Sequence, residues 1–231
     1  MASPIRIISS MATKQVLADL IALYRQAHPD TVIELESVGG VDAAKRVQAG
    51  EAFDIVALAS NAVAQLTTDG KVMAGSTVDV VRSGVALAVR RGAPHPDITS
   101  EAAVKQAVLA ARTLGYSTGP SGVQLAKLFE RWGIAEQIKD RIVTAPPGVP
   151  VGSLVAKGEV ELGFQQLSEL MSLEGIDVLG PLPAQIQIIT TFSAGLATAS
   201  TQPEAVRALL AFLVSPATAQ TKQRNGMEAA G

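Results

Sequence analysis

Through residue 68 the chain alternates short apolar runs with stretches whose apolar positions recur every three or four residues. "IRIIS" (5–9) is an apolar run of strand length. In "SSMATKQVLADLIALYRQAHP", Val16, Leu17, Leu20, Leu23 and Tyr24 fall at helical spacing, with Ser10 or Thr13 as the expected cap. "TVIELES" reads as a second strand, ended by Gly39-Gly40. "VDAAKRVQAGE" is a short helix stopped at Gly50. "FDIVALAS" is a third, buried strand, and "NAVAQLTTDGK" a third helix with Ser60 or Asn61 as cap. Strands alternating with helices predict a parallel sheet covered on both faces.

The pattern changes near residue 80. "DVVRSGVALAVRRGAP" is a long β-rich segment, followed by the helix "SEAAVKQAVLAA" and the strand "TLGYS". The loop "YSTGPSG" (116–122) leads into "GVQLAKLFERWGI", a helix with Leu125, Leu128, Phe129 and Trp132 on one face. "RIVTAP" is a strand, "VGSLVAKGEV" a short helix, and "ELGFQQLSEL" a strand running into polar residues. "IDVLGPLPAQIQIITTFSAGLAT" returns in extended form, and the C-terminal part is helical from Pro203. Two βαβ-like units separated by two extended crossings predict an α/β chain of two lobes. Residues 1–82 with 191–231 would form one and 83–190 the other, with hinges near 80–86 and 187–195.

Composition narrows the function. Hydrophobic residues make up 48% and charged residues 17% of the 231, which fits a globular protein. The net charge is −2, no basic block is present, and one Trp, two Tyr and five Phe are too few for a base-stacking platform. Nucleic acid is therefore not an expected partner. No apolar run reaches the ~20 residues of a membrane span. Cysteine is absent, which excludes disulfides, thiolate metal sites and Cys nucleophiles. The opening "MASPIRIISS" lacks leader character, as expected of a cytosolic chain or of an exported chain freed of its leader.

Polar and Gly-rich loops recur where strands end and helices begin, at 9–13, 39–40, 59–61, 117–122 and 165–168. Ligands of open α/β sheets bind beyond such strand ends, and helix N-termini offer free N–H donors to anions. The candidate contacts are Ser9, Ser10, Met11, Lys14, Gly39, Gly40, Ser60, Asn61, Arg82, Ser83, Ser117, Thr118, Gly119, Ser121, Gly122, Gln165 and Gln166. Arg82 is read either as a fork for a carboxylate or as a surface Arg on a strand edge. Lys14, in the first turn of a helix, opposes the helix dipole unless an anion sits there. Of Gln165 and Gln166, only one is expected to face a ligand, because neighbours on a strand point to opposite faces. Lys14 and Glu36 are the candidate bases. No P-loop, no G-x-G-x-x-G after the first strand and no G-x-S-x-G elbow is present. His28 and His95 both sit beside Pro, so neither a metal site nor a Ser-His-Asp triad is expected, and no cofactor.

On "IISSMATKQVLADL", "VQAGEAFDIVALAS", "STGPSGVQLAKLFERWGI", "LVAKGEVELGFQQLSEL" and "AFLVSPATAQ", nearly the whole chain resembles the molybdate-binding-protein-like branch of type II periplasmic solute-binding proteins. The resemblance implies two α/β lobes that close over an anion by hinge motion, a periplasmic location, a monomer and partnership with an ABC permease. Departures from the family pattern bear on the ligand. Ala12 stands where the family has a serine, and Gly39-Gly40 replaces a second one. Gln166 replaces a tyrosine, and Pro120-Ser121-Gly122 replaces Pro-Ala-Gly. Losing hydroxyl donors disfavours molybdate and favours a larger di- or tricarboxylate. "GSTVDVVRSGVALAVRRGAPHPDI" and "GIDVLGPLPAQIQ" resemble a sub-branch that includes aconitate isomerase. The expectation is thus a carboxylate-binding protein or an isomerase of aconitate on the same scaffold; a cytosolic sensor domain is the least favoured alternative.

Overall fold

A computed structural model describes residues 3–146 and 148–230. Three strand–helix pairs come first: β1 (Ile5–Ser10) and α1 (Lys14–Ala27), β2 (Ile33–Val38) and α2 (Gly40–Gln48), β3 (Ile55–Ala59) and α3 (Ser60–Thr68). The long strand β4 (Val78–Arg90) leads to α4 (Glu101–Ala110), β5 (Leu114–Tyr116), α5 (Pro120–Arg131) and α6 (Ala135–Ile138). Next come β6 (Ile142–Thr144), α7 (Val151–Lys157), β7 (Leu162–Gln166), the one-turn α8 (Leu167–Leu170) and β8 (Ile176–Pro181). The order continues with β9 (Ile189–Leu196), α9 (Pro203–Leu213), α10 (Ala219–Arg224) and β10 (Glu228–Ala229). The chain divides into two compact units, Met1–Arg82 with Thr191–Gly231, and Ser83–Thr190. It passes between them within β4 and within β9.

In the first unit β2, β1 and β3 pair in parallel, and β9 pairs antiparallel to β3. Alternation along each strand splits the core in two. Ile5, Ile7, Ile55 and Ala57 pack with Val16, Leu17, Leu20, Ile21 and Tyr24 of α1. Ile8, Val56 and Leu58 pack on the other face with Val47 of α2 and with Val63 and Leu66 of α3. Both faces are covered, which is why β3 reads as an unbroken apolar run. At the N-terminal end of β3 the buried Asp54 joins distant segments. Its Oδ2 accepts from Arg6 N at 2.9 Å and from Gln202 Nε2 at 3.3 Å, and its Oδ1 accepts from Ser200 Oγ at 2.5 Å.

In the second unit β6, β5 and β7 are parallel, β4 is antiparallel to β7, and β8 is antiparallel to β4. Val85, Leu87 and Phe164 form one face of this sheet, covered by Leu125, Leu128 and Phe129 of α5. Ala86 and Ala88 lie on the other face under Val151, Leu154 and Val155 of α7. The α7 helix ends at Gly158 in the left-handed region, φ 80°, a conformation that glycine adopts without a steric penalty.

Several local expectations need correction. Neither Ser10 nor Thr13 caps α1 with its side chain; a 3-10 turn (Met11–Thr13) precedes the helix, and Thr13 Oγ1 donates back to Ser10 O at 3.2 Å. Ser60 and Asn61 lie inside α3, whose cap position is Ala59. The "YSTGPSG" stretch is only partly loop, since α5 starts at Pro120 and takes in Ser121 and Gly122. The polar residues after β7 form α8. A terminal strand, β10, pairs Glu228 with Arg82 and Ala229 with Val81.

Candidate functional site

In the second unit the parallel strands β5 and β7 end side by side, and α5 starts just beyond β5. Gln166 is the last residue of β7 and 4% exposed. It pairs with Val85, so its side chain shares the α5 face with Val85 and Phe164. Its Nε2 lies 2.8 Å from Thr190 Oγ1, and its Oε1 is buried without a partner. The Thr190 hydroxyl can donate as well as accept, so the amide can turn its NH2 to the unpartnered side without losing that bond. Two residues before Val85, and hence on the same face, Ser83 is 1% exposed and its Oγ is also unpartnered.

The first turn of α5 adds to this group. Ser121 stands one helical turn before the buried Leu125 and so points toward the same sheet face. It is 7% exposed and makes no hydrogen bond among the described residues. Pro120 has no N–H and Val123 N donates to Gly119 O at 3.2 Å, which leaves Ser121 and Gly122 N–H as the helix's free donors. Tyr116, at the end of β5, is half-buried, and burial pushes its pKa up, so its hydroxyl stays a neutral donor. Buried donors and amides seldom go unpaired, because each costs about 1–3 kcal/mol. Together with the partial positive charge of a 12-residue helix, such a group suits an anion.

The first unit presents three more helix starts at strand ends. Ser10, Gly39–Gly40 and Ala59–Ser60 mark the junctions of β1, β2 and β3 with α1, α2 and α3. None of these helices has a side-chain cap, whereas Ser100 Oγ accepts from Ala103 N at 3.1 Å on α4. A Cβ on Gly40 would lie 3.7 Å from Ser10 Cβ, so these two junctions are neighbours. Lys14 is exposed in the first turn of α1 and forms no ion pair among the described residues.

Residues 5–228 match the family of bacterial extracellular solute-binding proteins. The chain belongs to this family. A curated relative, the aconitate isomerase of a Pseudomonas species, is 40% identical over 186 residues, covering 79% of this chain and 70% of the relative. Among solved structures, the periplasmic molybdate-binding protein of Azotobacter vinelandii superposes with a TM-score of 0.81 at 15% identity, over 98% of this chain and 100% of that one. The sulfate-binding protein of Mycobacterium tuberculosis gives 0.81 at 13% identity, over 99% and 88%. At such identities the likeness establishes the fold, that of the two-lobed periplasmic binding proteins.

Within this solute-binding fold, several residues singled out from the sequence have other tasks. Glu36 is bound by both terminal nitrogens of Arg46, at 2.5 and 3.0 Å, and Arg46 also holds Glu51. The bond to Arg46 holds the Glu36 carboxyl below its ordinary range, the opposite of what a base requires. Ser9 is fully buried, and its Oγ is 2.7 Å from Ser37 Oγ, so its hydroxyl serves the β1–β2 pairing. Gln165 turns to the α7 face, where its Oε1 accepts from Gly152 N at 3.0 Å. Ser117 Oγ accepts from Gly119 N at 3.4 Å, while Thr118 and Asn61 are exposed and Met11 is half-buried.

Arg82 is exposed and reaches Ala229 O on β10 at 3.4 Å, on the strand face opposite to Ser83. Arg82→Ala is therefore expected to leave ligand affinity within about threefold of wild type, as checked by titration calorimetry. Gly122 is fixed by close approach: a Cβ there would lie 1.7 Å from Ser117 O. Gly122→Ala should displace residues 116–118, lowering the melting temperature and weakening binding together. Unchanged melting and affinity would contradict that packing. The sequence pattern did not single out Thr190. Thr190 looks like any β-branched strand residue, and its partner Gln166 is 24 positions away.

Proposed function

We propose that this chain is a periplasmic binding protein for a small organic di- or tricarboxylate. Its buried polar groups support the reading: Ser83 Oγ and one side of the Gln166 amide are without a partner, and the Ser121 hydroxyl and the free N–H groups of α5 add neutral donors, a group that suits an anion once the Gln166 amide turns its NH2 toward it. The class of anion is taken from the relative at 40% identity, whose name gives a tricarboxylate substrate. Several donors spread over β4, β7, β9 and α5 suit an extended anion with more than one carboxylate. In this reading segments 80–86 and 187–195 are the hinges, and the partner is an ABC permease.

The second reading, favoured by the same relative, is an aconitate isomerase that shifts a proton across the allylic system of trans-aconitate. One panel sorts the ligands, because a ligand bound only to the native state stabilises it by about 2.7 kcal/mol at a hundred times its Kd. Citrate, cis-aconitate or trans-aconitate should raise the melting temperature by several degrees, and molybdate or sulfate should not. Stabilisation by molybdate alone would overturn the carboxylate reading. Conversion of trans- to cis-aconitate, followed by chromatography, separates an enzyme from a binder.

A further inference from the structure

Gln166 reaches its hydrogen-bond partner across a strand. It stands on β7, where it pairs with Val85 of β4. Its Nε2 meets Thr190 Oγ1 at 2.8 Å on β9, the neighbour of β4 on the other side. β4 brings the chain into the second unit at Ser83 and β9 takes it out at Thr190, so these two strands run in opposite directions. Val85 N donates to Ile188 O at 3.1 Å, which sets those residues opposite each other. Counting two residues back on β4 and two forward on β9 sets Ser83 opposite Thr190, with Cβ atoms about 5 Å apart. Gln166, Ser83 and Thr190 thus form one polar row on the α5 face, 4%, 1% and 8% exposed.

A side chain fixes the approach to Thr190. Gln187 Oε1 accepts from Val85 N at 3.0 Å and from Ile188 N at 2.8 Å, and its Nε2 donates to Leu182 O at 3.3 Å. The Gln166 amide is the one side-chain partner of Thr190 among the described residues. Against the amide NH2 the Thr190 hydroxyl accepts, and against the amide oxygen it donates. The amide oxygen and Ser83 Oγ are both buried without a partner.

Resting on the carboxylate-binding reading above, we propose that Thr190 is the positioning residue of the anion site: its hydroxyl holds the Gln166 amide and changes from acceptor to donor when a ligand carboxylate arrives. In the ligand-free protein the NH2 is bonded to Thr190 and the oxygen takes the unpartnered side. A carboxylate repels that oxygen, so the amide turns over. Its NH2 then donates to the carboxylate, and the Thr190 O–H donates to the displaced oxygen. A bond to Thr190 exists before and after the turn, and in the complex Thr190, Gln166 and the carboxylate form a chain of hydrogen bonds that polarise one another. A methyl group in place of the hydroxyl leaves the inner end of the amide without a partner. The side chain is then no longer held, and binding has to order it afresh.

The test compares wild type with Thr190→Val, which keeps the shape, and Thr190→Ser, which keeps the hydroxyl. Kd for trans-aconitate is measured by calorimetry. The Gln166 side-chain NH2 is followed by NMR in isotope-labelled protein, its signals assigned by their loss in Gln166→Met. Thr190→Val should raise Kd about tenfold, and Thr190→Ser should stay within about threefold of wild type. In wild type the Gln166 NH2 signals should move on saturation with trans-aconitate, because the NH2 exchanges one acceptor for another. The Thr190 hydroxyl proton should exchange with water more slowly in the complex, because it is then donated to a buried oxygen. A Kd for Thr190→Val within about threefold of wild type, or equal losses in both variants, would overturn the role of Thr190 and leave the carboxylate reading standing. Unmoved NH2 signals or unchanged hydroxyl exchange in wild type would overturn it too, even if Thr190→Val does not fold. Absence of binding of trans-aconitate, cis-aconitate and citrate to wild type would instead remove the carboxylate reading, and the proposal with it.

Discussion

Gln166→Glu is expected to abolish high-affinity binding of the carboxylate ligand, raising Kd about a hundredfold or more near pH 7.5. The substitution barely changes volume, but it replaces the amide NH2 with a second oxygen in a position 4% exposed. The wild-type amide has a partner on one side only, Thr190 Oγ1 at 2.8 Å. The other side has no protein partner, and an anion there needs a donor. A carboxylate in its place sets like charge against like charge in a dry site, a loss of about 2–5 kcal/mol. The pH dependence has a definite sign. Burial raises a carboxyl pKa, and the protonated acid is neutral and can donate, so part of the affinity should return toward about pH 5. Calorimetry at the two pH values checks both parts. Wild-type affinity at neutral pH would mean that the Gln166 amide does not touch the ligand.

Asp54→Ala is expected to cost about 3 kcal/mol or more of stability without altering the donor group of the second unit. The carboxylate accepts from Arg6 N, Ser200 Oγ and Gln202 Nε2, so it joins β1 to the segment that leads into α9. Removing it strands three donors at a position only 8% exposed. Each stranded group costs about 1–3 kcal/mol, less what entering water recovers. For a chain of this size, about 3 kcal/mol corresponds to a fall in melting temperature on the order of 6–12 °C. Calorimetric melting checks this, and Asp54→Asn, which keeps one acceptor, should lose less. A shift under about 2 °C would show that water replaces Asp54 without loss.

The periodicities that define β1, α1, β3 and α5 are local, and those elements form in the stretches the pattern marks, with the starts of α1 and α5 displaced by a few residues. The junctions were legible as polar, Gly-rich breaks, but the task of each polar residue was not. Ser9 and Ser10 look alike in sequence; only the β1–β2 register, which sets Ser9 opposite Ser37, gives the first an internal partner. Gln165 and Gln166 divide in the same way. Alternation assigns them to opposite faces, and the packing of α5 and α7 decides which face has an unpaired amide. Arg82 has a neighbour that no local pattern announces: β10, far along the chain, pairs beside it on β4 and offers Ala229 O to its guanidinium.

The most direct measurement is a crystal structure of the protein with bound trans-aconitate. One ligand carboxylate should lie within about 3 Å of the Gln166 amide nitrogen and of an N–H at the start of α5, with Ser83 Oγ on the same group. A ligand seated away from Gln166, Ser83 and Ser121, or a compact inorganic oxyanion retained there in preference to trans-aconitate, would contradict it.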